Sequence, residues 1–500
     1  MCIKSRLPIV LCFVFIWMSS GCNKSQNLAE PLFKKFHNEV FKEMDTAGYV
    51  PVFLETFGDK RTEINNAEFI DNFYRSRQYE PVFILKLLPT DGMKVFLDYL
   101  KRVREHGLNP EAFHYSEIKQ LVDKFYDKKQ ITTTNEAYEV MALLEIKTAE
   151  SLISYASALQ FGMVKPRKIF ERYFTKTPRP DNAFMSQVFA IKNINEYLSS
   201  LQPTNPNYIK LQGALKEEVA YPGLTISETQ RIIKLNLERL RWRNKPSAKT
   251  YVLVNIPDYT LRFVDDGNVT LKMKVCVGKG REQEVADTES TNGVIRNHQT
   301  PELSSMIYNA QVNPVWNIPS SIAKNEIYDK LLADPDYLIN HEIDVYDNHG
   351  DKLDADSIDW AMIPKNKIPF KFKQAPGDDN SLGKIKFQFE NGSSVYLHDT
   401  PAKKPFNLSV RAVSHGCVRL EKPLEFAKSL FNNNSGYKLV EERLALPDSE
   451  TLNISVDPHV PVYLTYITCF FNERGKMVIR PDVYNRDEVL YKSMKGKLSE

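Results

Sequence analysis

The spacing of hydrophobic positions changes character near residue 246. From 31 to about 245, apolar residues recur three and four apart, as in Phe69-Ile70 with Phe73-Tyr74, and Leu97 with Leu100 and Val103. That is the stripe of an amphipathic helix. The run 134–161 lacks both Pro and Gly and carries Leu143-Leu144, Ile146 and Leu152-Ile153, so one long helix is predicted there. Breaks fall at 107–110, 162–166 and in the Pro/Asn-rich stretch 202–207, where Gly and Pro interrupt the pattern. A further helix is expected over 227–243 with Ser227 as its N-cap.

Beyond Pro246 the period shortens towards two. Strands are expected at 251–256, 260–264 and 271–277, with Asp265-Asp266-Gly267-Asn268 as the hairpin turn between the last two. The segment 384–389 alternates apolar and polar residues, and 395–397 is a short β-rich run. A helix at 423–431 and a strand at 461–468 follow. Between these, 319–372 shifts to helical and loop character and reads as an insertion in a β domain. The pattern predicts a multidomain α+β chain, helical first and mainly β afterwards.

Composition adds boundaries rather than chemistry. Five hundred residues exceed what one core organises. The 66 Lys and Arg against 63 Asp and Glu leave a formal charge of +3 without a basic cluster, which excludes a nucleic-acid partner. The N-terminus departs from this average. Lys4 and Arg6 precede the apolar run 7–18, and Ser19-Ser20-Gly21-Cys22 follows. A basic start, a short apolar core and small residues before a cut site make a secretory signal, and the run is too short to span a membrane. Cys22 directly after small residues resembles the lipidated first residue of bacterial lipoproteins. An ordinary cleaved signal with an incidental Cys is the other reading. The remaining cysteines, Cys276, Cys417 and Cys469, are too scattered for a disulfide framework or a zinc site. Cys276 and Cys469 lie in strand-like runs and are expected to be buried, a bridge between them being the alternative. Neither a metal nor another cofactor is expected.

Cys417 stands apart because its setting, Ser414-His415-Gly416-Cys417, is polar and flanked by Gly. A thiol attacks only as a thiolate, so it needs a base or a positive potential nearby. His398 closes a predicted strand 19 positions earlier, where a returning loop can bring it to the thiol, and imidazole suits proton transfer near neutral pH. Gly416 permits close backbone approach, which makes the amides of Gly416 and Cys417 candidates for stabilising an oxyanion. His415 is expected to orient the loop rather than move protons.

At these residues the chain resembles the L,D-transpeptidases of the bacterial cell wall, whose signature is His, about fifteen residues, then Ser/Thr-His-Gly-Cys. His398, Ser414, His415, Gly416 and Cys417 fill it, with Arg419 replacing the usual Asn, as in the large Gram-negative branch. Similar stretches are Tyr396-Leu-His-Asp-Thr-Pro401, Asn313-Pro-Val-Trp-Asn-Ile-Pro319 and Gln374-Ala-Pro-Gly-Asp-Asp-Asn-Ser-Leu-Gly383. The resemblance implies a signal peptide over 1–21, a tether over 22–30 and a helical scaffold domain over 31–245. A catalytic domain would span 246–445 with a mobile capping insertion at about 319–372, and 446–500 would be a β extension packed on these domains. The small peptidoglycan-binding module of that branch has no room between 207 and 223.

It also implies roles. Cys417 would attack the donor stem peptide beside its terminal D-Ala, with His398 as base and the backbone carbonyl of Asp399 orienting the imidazole. The Tyr396 hydroxyl would join the two amides at the oxyanion. Ser414, Arg419, Trp316 and Asn380 would serve substrate binding. Arg419 reads equally as part of a structural ion pair, and Trp316 as core packing. An acceptor amine would resolve the thioester to a 3→3 crosslink, and a carbapenem would mimic the donor. The expected enzyme faces the periplasm, anchored through Cys22, with the outer membrane preferred over the inner. Two alternatives use the same nucleophile, an L,D-carboxypeptidase and an enzyme attaching proteins to peptidoglycan; a third, of another class, is a non-catalytic peptidoglycan-binding lipoprotein with an unused Cys.

Overall fold

A computed structural model describes residues 27–242, 246, 248–280, 297–432, 434–446 and 450–500. The leader-like run and Cys22 lie outside them. The chain divides into two compact units: the described residues up to Val95 with Ser116–Ser151, and Phe96–Tyr115 with Leu152–Glu500.

The first unit is helical. Thr46–Lys60 starts at Asp45, whose carboxylate accepts the Gly48 N–H at 2.7 Å, filling one of the donors that a helix start leaves open. The long helix runs over Thr134–Phe161, as its freedom from Pro and Gly predicts, with its residues up to Ser151 in this unit. Its interior carries a fully buried carboxylate, Glu145. That group is tolerated because its oxygens accept the Tyr74 hydroxyl at 2.5 Å and the N–H groups of Val82, Phe83 and Ile84 at 2.7 to 2.9 Å. A buried carboxylate whose acceptor capacity is filled avoids most of the desolvation penalty.

In the second unit the helix expected over 227–243 spans Ile226–Arg241 and is capped by Thr225, not Ser227. Thr225 accepts the Glu228 N–H while the Glu228 side chain reaches back to the Thr225 N–H. This reciprocal box outcompetes the single bond Ser227 offers.

Nine strands form the main sheet in the order β11-β3-β12-β10-β9-β4-β13-β1-β2, and a β2–β3 pairing closes it on itself. They are β1 Tyr251–Asn255, β2 Thr260–Asp265, β3 Asn268–Gly278, β4 Leu303–Val312, β9 Ile385–Phe389, β10 Leu397–His398, β11 Ala412–Ser414, β12 Val418–Leu420 and β13 Leu452–Thr465. The expected hairpin turn forms, with Asp266 and Gly267 both at positive φ, as a tight turn between twisted strands requires. Its core includes Val252, Val254, Val275, Phe387, Leu397, Val418 and Phe426. The segment anticipated as an extension contributes β13, an inner strand hydrogen-bonded to both β4 and β1.

The insertion is more ordered than its helix-and-loop pattern suggests. Alongside short helices it holds a sheet in the order β5-β8-β6-β7, made of β5 Trp316–Ile318, β6 Ile343–Tyr346, β7 Lys352–Leu353 and β8 Lys371–Gln374. Strands of two to four residues are too short to show a period of two, which is why the pattern misses them. Ile318, Ile327, Leu331, Leu338, Val345 and Phe372 give it a core of its own. A final hairpin pairs β14 Cys469–Phe471 with β15 Met477–Ile479. Cys276 and Cys469 are buried and free, without a bridge between them.

Candidate active site

The site is a consequence of strand register. β10 is only two residues long and lies between β9 and β12, with His398 opposite Lys386 on one side and Arg419 on the other. Because alternate residues share a face, Tyr396, His398, Lys386, Cys417 and Arg419 fall on one face, while Leu397, Val418 and Phe387 fill the core behind it. The Val418 N–H donates to the Tyr396 carbonyl at 3.1 Å, which brings Cys417 alongside Tyr396.

The thiol's own bonds run to Tyr396, whose backbone N–H and hydroxyl both donate to it. The indole of Trp316 donates to the Tyr396 oxygen in turn. Trp316 also packs on the core of the insertion, as its packing reading expects. Cys417 is half-buried. Burial pushes its thiol up, while the bonds from Tyr396 and the charges of Lys386 and Arg419 pull the other way. His398 is buried and pushed down to about 3, first by desolvation and then by the Arg419 charge, with the backbones of Asp399 and Leu382 opposing. Its Nδ1 makes no hydrogen bond of ordinary geometry. At neutral pH the resting pair is therefore a thiol beside a neutral imidazole, not a preformed ion pair.

The loop bearing the thiol is fixed from inside. The Ser414 hydroxyl donates to the Cys417 carbonyl at 2.6 Å and accepts the Gly416 N–H at 3.2 Å. This corrects the expectation that the Gly416 amide faces an oxyanion, because that donor is spent within the loop. It equally sets Ser414, which is buried, as a brace instead of a substrate contact. The Cys417 N–H meets no acceptor among the described residues. Gly416 sits at φ 118°, a conformation open to glycine. That turn sends His415 away from the thiol. Its Nε2 pairs with Glu326 of the insertion, and its ring meets His298 edge-on at 4.7 Å.

Two further expectations change. Asn380 is buried, and its amide donates to the carbonyls of Pro314 at 3.0 Å and Ala375 at 2.7 Å while accepting the Leu382 N–H at 2.8 Å. With every group satisfied internally it holds its loop and does not reach substrate. Arg419 makes no ion pair among the described residues, and its Nε is buried without a partner there. The Asp399 carboxylate accepts the Lys384 N–H at 2.9 Å and the Lys403 ammonium at 2.6 Å, so it is engaged away from the imidazole.

Lys386 is the residue the sequence reading missed. It stands in the alternating run 384–389 on the face opposite Phe387, its ammonium 4.2 Å from the centre of the Tyr396 ring. Burial lowers its pKa, and the nearby thiolate would raise it. Alternation combined with the position of His398 was the available signal. The described residues hold no cluster of side chains fit for a metal ion, and no helix among them is long and apolar enough to cross a membrane.

Residues 249–434 match the family YkuD, L,D-transpeptidase catalytic domain, and 68–215 match the Scaffold domain. A protein of Haemophilus influenzae named "Putative L,D-transpeptidase" is 32% identical over 310 residues, which cover 62% of this chain and 59% of the relative. The chain thus matches less than two thirds of that relative's length. Among solved structures, an L,D-transpeptidase from Mycobacterium smegmatis overlaps 44% of this chain and 59% of its own, at 16% identity and a TM-score of 0.20. The structure of the Ldtfm-avibactam carbamoyl enzyme overlaps 44% and 49%, at 11% identity and the same TM-score of 0.20. Overlaps at that score bear on neither fold nor activity. Tyr396, His398, the Ser414–Cys417 loop and Arg419 all fall inside the matched catalytic segment. The chain thus carries a YkuD L,D-transpeptidase catalytic domain over 249–434, preceded by a Scaffold domain over 68–215.

Proposed function

We propose that this protein is a peptidoglycan L,D-transpeptidase that forms 3→3 crosslinks through a thioester on Cys417. The supporting observation is the shared face of β10 and β12, which gathers the thiol, the Tyr396 hydroxyl, a neutral buried imidazole and two cations without carboxylate partners among the described residues. The Cys417 proton passes to His398 as sulfur bonds the carbonyl carbon beside the terminal D-Ala of a donor stem peptide. The tetrahedral oxyanion is met by the Cys417 N–H and the Tyr396 hydroxyl. Its collapse breaks the C–N bond, and His398 returns the proton to the departing amine. An acceptor amine from a second stem peptide then attacks the thioester, loses a proton to His398 and releases the thiolate. The energy of the broken amide is conserved through the thioester, so no nucleotide is consumed. Arg419, without an ion-pair partner among the described residues, offers its guanidinium to a substrate carboxylate.

Incubation with disaccharide-tetrapeptides, read by mass spectrometry, tests this. Crosslinked dimers are expected. Tripeptides alone would make water the acceptor and the protein a carboxypeptidase, and no turnover would favour a binding lipoprotein. We further place the mature chain at the periplasmic face of a membrane, lipidated on Cys22, with the outer membrane preferred. The leader-like run before Cys22 supports this. Palmitate labelling of the expressed protein that persists in Cys22→Ser would overturn it.

A further inference from the structure

We infer that Thr300, braced by Tyr484, is a positioning residue that aims the Cys417 N–H at the oxyanion; this rests on the acyl-transfer reading above. The Thr300 hydroxyl donates to the Gly416 carbonyl at 2.8 Å. That carbonyl and the Cys417 N–H belong to one peptide unit, and in a trans peptide they point in opposite directions. Holding the oxygen therefore fixes the direction of the N–H, which is the donor that remains once Ser414 has taken the Gly416 amide.

The hydroxyl has one proton, and its direction is set because its other close partner is itself a donor, the Gly278 N–H at 2.9 Å. Thr300 is held in turn. Its N–H donates to the Tyr484 oxygen at 3.1 Å, and the Tyr484 hydroxyl donates to the Gly278 carbonyl at 2.7 Å. Behind these, the Tyr484 N–H donates to Tyr466, and the Tyr466 hydroxyl donates to Asp482 at 2.5 Å. Thr300, Tyr466 and Tyr484 are all buried. Gly278 has to be glycine, since a Cβ there would stand 1.8 Å from the His298 carbonyl oxygen and push the Thr300 segment off.

The brace matters because glycine at φ 118° leaves the following peptide plane cheap to rotate. Ser414 secures the peptide before Gly416 from within the motif; Thr300 secures the one after it from 116 residues upstream. No motif spacing points to either Thr300 or Tyr484.

Two rates on each variant separate aiming from plain support. Acylation of Cys417 by a carbapenem passes through an oxyanion, whereas alkylation by iodoacetamide displaces iodide without one. Thr300→Val keeps the shape and loses the hydroxyl. It should slow acylation by about tenfold or more, short of the loss of a whole oxyanion donor, and leave alkylation unchanged. Thr300→Ser should restore acylation. Tyr484→Phe, which leaves the Thr300 hydroxyl in place, should show the same split and serves if Thr300→Val does not fold. Equal change in both rates, or none in either, would overturn the inference. A wild-type protein alkylated at Cys417 but acylated by neither carbapenem nor stem peptide would remove the acyl-transfer reading, and this inference with it.

Discussion

At the scale of single residues, burial keeps the proposed nucleophile, Cys417, and the proposed base, His398, neutral in the resting protein. Burial raises the Cys417 thiol and lowers His398 to about 3, so proton transfer between them is uphill in the resting protein. The sign of the pH dependence follows. His398 is already deprotonated at any pH above about 3 and adds no inflection near neutrality, whereas thiolate accumulates only as pH rises past the ordinary cysteine range. Alkylation of Cys417 by iodoacetamide should therefore keep rising from pH 7 through pH 9. A plateau reached below pH 7 would mean a preformed thiolate–imidazolium pair and contradict this electrostatic picture. Lys386 and Arg419 act against the burial, and substrate closing over the site strengthens their effect by excluding water.

At the scale of elements, a polar contact from Glu326 to His415 joins the insertion to the loop that bears Cys417. Glu326 lies on the π-helical turn Ala323–Ile327, and the His415 contact, with the Lys279 and Lys330 charges, holds its carboxyl below the usual range. Partly exposed pairs of this kind contribute about 1 kcal/mol or less, enough to bias a lid without locking it. Glu326→Gln should raise amide hydrogen exchange across 320–333 while the strands of the main sheet keep their protection. Unchanged exchange there would show that the contact does not restrain the insertion.

Elements also show how far the sequence could be read. The long helix Thr134–Phe161, the hairpin at Asp266-Gly267 and the pairing of His398 with the Cys417 loop follow from local period, turn chemistry and motif spacing. What was not legible depends on partners distant in sequence. Asn380 looks like a free polar group until Pro314 and Ala375 close around it. Ser227 looks like a cap until Glu228 selects Thr225. Lys386 becomes notable only once β9 lies beside β10, and β13 becomes an inner strand only through pairing with β1, some two hundred residues away.

At the scale of the molecule, a closed sheet with its own core presents the face that bears His398 and Cys417. The insertion brings Trp316 to Tyr396 and Glu326 to His415. The C-terminal segment contributes Tyr484 behind the nucleophile loop. Stretches far apart in the chain thus converge on one thiol, and the whole arrangement stands or falls with covalent chemistry at that sulfur. The most direct measurement is the intact mass of the protein, mixed rapidly with a disaccharide-tetrapeptide and quenched in acid. The account predicts a mass gain equal to the donor less its terminal D-Ala, mapped by proteolysis to Cys417 and absent from Cys417→Ala. Dimer formation by Cys417→Ala, or turnover with the adduct on another residue, would contradict it.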